Sequence, residues 1–166
     1  MKAIEIPGWR LAAHVAIDAP PPGWRDALAA RLGARPRRIG PWAELALYGA
    51  WRCLDAAGEN ALPADARLRI ASLSGPLAAT RACLNQLHGE LLPMPFDFMQ
   101  SQPALMLAAL ARGLSWQGDA SFTTGRDTPM LVRMALQGAG RGGLLWGRVE
   151  GEAGACASEW ARWVPE

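Results

Sequence analysis

Residues 91–136, LLPMPFDFMQSQPALMLAALARGLSWQGDASFTTGRDTPMLVRMAL, decide how this chain folds. Pro103 opens a stretch whose longest apolar run is Ala104 to Ala111, and Gly113 follows Arg112. Proline at the first position and glycine past the end are the punctuation of a helix. Ala120 to Thr124 is short and ends in β-branched residues, as a strand does. A tight turn, Thr124-Gly125-Arg126-Asp127-Thr128, leads into a second helix. Its first residue is Pro129, its cap Asp127 or Thr128, and its end near Gly138. Upstream, Leu91 to Phe98 is apolar but carries Pro93 and Pro95, and reads as an irregular loop lying under something.

Working outward, the same punctuation divides the rest. Leu11 to Ile17 makes a first strand stopped by Pro20-Pro21-Pro22-Gly23. Trp24 to Leu32 reads as a helix with Gly33 in its left-handed terminal position. A basic turn, Arg35-Pro36-Arg37-Arg38, precedes a helix opened by Pro41 and closed by Gly58. Arg67 to Leu73 alternates polar and apolar at period two, a half-buried strand, and Ser74-Gly75-Pro76 turns into a helix ending near Gly89. After the glycine-rich connection 138–143 a last strand spans Leu144 to Val149. The tail 150–166 is expected to end in a short amphipathic helix carrying Trp160 and Trp163. Strands alternating with helices predict a layered α/β domain with a mixed, largely parallel sheet. With 166 residues and no boundary or repeat, residues 1–166 form one domain.

Composition narrows the function. Half the residues are hydrophobic and a fifth are charged, as in a globular protein. A net charge of +2 gives no argument for nucleic acid. No apolar run reaches the eighteen residues of a membrane span, and the start of the chain is too broken by Glu5, Pro7 and Arg10 for a signal peptide. Cys53, Cys83 and Cys156 are odd in number and lack metal spacing, which fits reduced thiols in a cytoplasmic protein.

Motifs of chemistry are weak. His14 and His88 stand far apart without partners, so no metal site is expected. Ser74 lacks the first glycine of a nucleophile elbow. The glycines of 138–143 lie between a helix and a strand, whereas phosphate-binding glycines follow a strand and open a helix. Arg31, Arg35, Arg37 and Arg38 are either a solvated turn or a grip on an acidic partner. Trp160 and Trp163, in a charged tail, are candidate interface anchors.

In order along the chain, several stretches resemble the N-terminal half of β-ketoacyl synthases of the thiolase-like superfamily. Arg35 to Gly40 resembles the arginine-rich lead into the first core helix, and Leu68 to Ser74 the early sheet strand. Met94 to Gln102 resembles the proline–phenylalanine–serine loop, and Gly118 to Leu136 the strand, nucleophile turn and buried helix. Leu144 to Val149 resembles the strand that follows.

The resemblance implies a thiolase-like half. It also implies that Asp127 stands where those enzymes carry their nucleophilic cysteine, and carboxylate there cannot form the acyl thioester. Their two catalytic histidines come from a C-terminal half beyond the reach of this chain. The expectation is therefore a non-catalytic subunit without cofactor, comparable to a chain-length factor, paired with an active ketosynthase. Such members occur near fatty-acid, polyketide or aryl-polyene genes. Pairing is expected at the strand before the nucleophile turn (Phe122, Thr124) and at the apolar loop (Phe96, Phe98, Met99). Arg35, Arg37 and Arg38 are the expected contact with an acyl carrier protein. The alternatives are a homodimeric module that binds an acyl chain or carrier protein, and a small enzyme using Asp127 as acid or base with Arg126 beside it.

Overall fold

A computed structural model describes residues 5–152 and 155–166, with the side chains of 152, 155 and 156 outside the described set, and the described residues form five strands interspersed with six helices. The strands are β1 (Trp9–Ile17), β2 (Arg67–Ser72), β3 (Asp119–Thr124), β4 (Leu144–Glu152) and β5 (Ala155–Pro165). The helices are α1 (Trp24–Leu32), α2 (Gly40–Ala56), α3 (Leu77–His88), α4 (Pro95–Gln100), α5 (Pro103–Gly113) and α6 (Thr128–Leu136).

The strands form one sheet in the order β1-β5-β4-β2-β3. β2 lies parallel to β3 and to β4, while β5 runs antiparallel to both β4 and β1. Four strands thus share a direction, as expected for a largely parallel sheet, and the single reversed strand sits inside it.

Alternation along the strands sends side chains to two distinct cores. Leu68, Ile70, Leu145, Val149 and Trp160 meet α2 and α5 on one face. Ala71, Leu144, Trp146, Ala161 and Trp163 meet Val132, Ala135 and Leu136 of α6 on the other. The first face is thickly covered, with α1 packed on α2 and α4 beside α3 and α5. The second carries α6 as its only helix among the described residues, with Ile6 and Trp9 packed beside it.

α2 is the central helix. Its approach to the sheet is closest at Gly49, where a Cβ would collide with the Trp160 indole and the Ser158 hydroxyl. Trp42, at its start, donates through Nε1 to the Val149 carbonyl at 3.0 Å and packs edge-on against Phe122, with ring centroids 5.9 Å apart. Each large side chain buried in this way contributes ~1.5–3 kcal/mol.

Two expectations are corrected. The segment from Leu91 is irregular only as far as Met94, since α4 begins at Pro95. Proline at the first helical position has no intrahelical N–H partner to lose. The segment is also not covered, because Leu92 is 89% exposed and Phe98 57%. The tail forms β5, not a helix. Trp160 and Trp163, buried on opposite faces of that strand, are core residues and not surface anchors.

Candidate functional site

The turn between β3 and α6 holds Asp127 as the N-cap of α6. Its Oδ1 accepts a hydrogen bond from the Met130 N–H at 3.0 Å, one of the donors that a helix start leaves unpaired. The side chain is exposed, and Arg126 beside it is exposed too.

Behind the start of α6 lies a polar chain across the sheet. Arg148 of β4 donates to the Thr128 hydroxyl at 3.5 Å and to Glu150 at 3.2 Å. Glu150 in turn fills the turn after β2. It accepts from the hydroxyls of Ser72 (2.8 Å) and Ser74 (2.7 Å) and from the backbone N–H groups of Leu73 and Ser74. Partial burial pushes its pKa up, but these hydrogen bonds outweigh burial and bring it down to about 2. At neutral pH it is a fixed carboxylate, too acidic to serve as a general base.

The other reactive groups lie elsewhere. Burial raises the Cys53 thiol to about 12, with Arg162 opposing and Glu59 adding to the rise. Cys83 is also buried, and the Cys156 side chain lies outside the described residues. His14 is on β1, at the opposite sheet edge from β3, with Nε2 2.9 Å from Glu159 Oε1. His88 ends α3. Among the described residues, no group of three His, Cys, Asp or Glu side chains could hold a metal ion, and no helix is long and apolar enough to cross a membrane.

The two edges of the sheet differ. β1 carries Arg10 and His14 and shows a register shift between Leu11 and Ala13, features that discourage further strand pairing. Among the described residues β3 pairs with β2 alone, in unbroken register from Asp119 to Thr124, and it has no lysine, proline or bulge along its open edge. Phe122 points inward onto Trp42, whereas Thr124 is exposed.

Apolar side chains concentrate on the surface nearby. α5 packs on β3, α4 on α5 and α3 on α4. Leu84, Leu87, Leu91, Leu92, Met94, Phe96, Phe98 and Met99 are all exposed on α3, α4 and the segment between them. Of the three arginines expected at a carrier protein, Arg38 stacks over the Phe96 ring, 5.0 Å from its centroid. Arg37 turns to a cleft of about 520 Å³ beside α2 and α5, and Arg35 stays exposed. A second cavity, of about 250 Å³, lies between the starts of α2 and α3 and helices α4 and α5, with Trp42, Gln100 and Met106 in its walls.

No protein-family model matches this chain, and no curated protein matches it in sequence. Solved structures match it in fold. One is a chain of the complex of the ketosynthase ApeO with its chain length factor ApeC from Xenorhabdus doucetiae. It has a TM-score of 0.68 at 16% identity, covering 96% of this chain and 79% of that one. Another is a chain of the ishigamide ketosynthase/chain length factor, with a TM-score of 0.65 at 15% identity, covering 93% of this chain and 62% of that one. This is the thiolase-like fold of ketosynthase and chain-length-factor chains.

On that fold the residues expected at an interface separate into two groups. Phe96, Phe98 and Met99 stand on one exposed helix, α4, and Phe122 and Thr124 on the open edge strand, with α5 between. Asp127 lies beyond β3 at the start of α6. The Glu150–Arg148 chain was not legible beforehand. Its members are separated from Ser72 and Ser74 by more than seventy residues and carry no motif.

Proposed function

We propose that this chain is a non-catalytic, chain-length-factor-type subunit that pairs with an active ketosynthase in bacterial fatty-acid or polyketide biosynthesis, aryl-polyene assembly included. The observation that carries this reading is the unguarded edge of β3. Unpaired strand edges without lysine, proline or bulge invite another strand, and the fold places this one, whose only charged residue is Asp119 at its start, beside an apolar helical surface. The two similar solved structures, both of ketosynthases with chain length factors, give the reading its partner class. Met130 and Met134, each 55% exposed on α6, widen the apolar surface on the thinly covered face.

The absence of catalysis is part of the same proposal. Its support is Asp127 in place of the thiol, engaged as a helix cap, together with a Cys53 thiol held far from its reactive form. Contact with an acidic carrier protein, and a cytoplasmic setting, also belong to this reading. Arg35 is assigned to such contact, since Arg38 is engaged over the Phe96 ring and Arg37 lines the cleft beside α2 and α5.

The test is the native mass of the chain alone and after co-expression with a full-length ketosynthase of the same genome. A one-to-one complex is expected, and Thr124→Lys should weaken it. Phe122 is less suitable for substitution, because a charge there would also disturb Trp42. A homodimer indifferent to the ketosynthase would favour the acyl-binding module, and a monomer in both preparations would overturn both readings.

A further inference from the structure

The cleft of about 520 Å³ lies on the face of the sheet opposite α6, so the sheet separates it from Asp127. It is within the size range of small-molecule sites, ~300–1,000 Å³. Its floor is apolar, built from Leu32, Ile39, Leu47, Trp51 and Ala109. Its charged wall is entirely cationic: Arg31, Arg37 and Arg112 line it, and no acidic residue does.

The three arginines are not equivalent. Arg31 is held in place by Asp55 at 3.1 Å and by stacking over the Trp51 ring, 4.2 Å from its centroid. Arg37 and Arg112 make no ion pair among the described residues, so their charge is uncompensated at the rim. Trp51 keeps its indole N–H buried without an acceptor. In the last turn of α5 the carbonyls of Leu110, Ala111 and Arg112 are taken by the N–H groups of Leu114, Trp116 and Ser115.

We infer that this cleft binds a small amphiphilic anion, a carboxylate or phosphate head on a short apolar body, with Arg37 and Arg112 on the head and Trp51, Leu47 and Ile39 on the body. Planar guanidinium groups suit either oxyanion, and an aromatic floor suits an aliphatic or aryl tail. This inference does not depend on the ketosynthase-partner reading, because the chain alone supplies every contact.

The experiment is isothermal titration calorimetry of the full chain with octanoate, octyl phosphate and uncharged octanol. Both anions should bind, octanol should bind at least about tenfold more weakly, and Arg112→Gln or Arg37→Gln should each weaken the anions about five- to tenfold. Both arginines are exposed, so these variants should fold, which circular dichroism would check. A preference for octyl phosphate would assign a phosphate head, and a preference for octanoate a carboxylate. Equal binding of octanol and the anions would overturn the proposal. So would anion binding unchanged in both variants, or no heat from either anion at millimolar concentration.

Discussion

The guanidinium of Arg162, only 1% exposed in the middle of β5, donates two hydrogen bonds to the Glu59 carboxylate just past α2, at 2.6 and 2.9 Å. A third nitrogen donates to the Trp163 carbonyl at 2.8 Å. The pair therefore fixes the end of the central helix to the one reversed strand of the sheet. The partners are unequal, since Glu59 keeps 25% exposure. Glu59→Ala should cost about 3–5 kcal/mol, because it leaves a buried cation alone. Arg162→Met should cost less, about 1–2 kcal/mol, because Glu59 can turn to water and the methionine refills the space. Urea unfolding of the two variants measures the order, and equal losses would mean that burial of the arginine is not the controlling factor.

Asp127 gives a second prediction. If its role is the cap observed, Asp127→Ala should lower stability by about 1 kcal/mol and Asp127→Asn should be nearly neutral, because asparagine also accepts from the Met130 N–H. Thermal melts of both variants decide it. A large loss of partner binding in the asparagine variant, with stability intact, would instead assign the carboxylate charge a role in the interface.

The elements that local rules govern were legible in the sequence. Gly23 and Gly33 bracket α1, Pro41 and Gly58 bracket α2, and Asp127 with Pro129 starts α6. Non-local features were not. β5 buries both faces, so Trp160 and Trp163 lie on opposite sides, and their three-residue spacing imitates a helical stripe. The Arg162–Glu59 pair spans 103 positions, and nothing in either neighbourhood announces the other. The same limit hid where the expected interface residues stand. The residues Phe122 and Thr124 could be named, but the open edge of β3 follows from strand order, which is a tertiary fact.

Glu150 makes stability depend on pH. Its pKa falls from the ordinary 4.5 in the unfolded chain to about 2 in the fold. A lowered carboxylate pKa contributes stability that is complete above 4.5 and is lost as pH drops through that value towards 2. Because the group is partly exposed, the contribution at neutral pH is on the order of 1–2 kcal/mol after solvent screening. Glu150→Gln should be less stable than the parent at pH 7, and the gap should narrow between pH 4.5 and 2. Urea titrations at several pH values test this. A gap independent of pH would mean that the hydrogen bonds of the Ser72–Ser74 turn do not depend on the charge.

Cys53 offers a probe of the same core. Burial drives its thiol up to about 12, so almost no thiolate exists at pH 8, and the sulfur is shielded as well. Iodoacetamide followed by peptide mass mapping should therefore leave Cys53 unmodified in the native chain and modify it fully in urea. The residue also senses the neighbouring ion pair, since Arg162 acts to lower its pKa and Glu59 to raise it. Removing Glu59 should accelerate labelling twice over, by leaving the cation uncompensated beside the thiol and by increasing the population of opened molecules. Labelling of Glu59→Ala at several urea concentrations separates the two effects. A rate that climbs steeply with urea would locate the effect in opening, while a faster rate that stays the same across low urea would show that the thiol itself has been made more acidic.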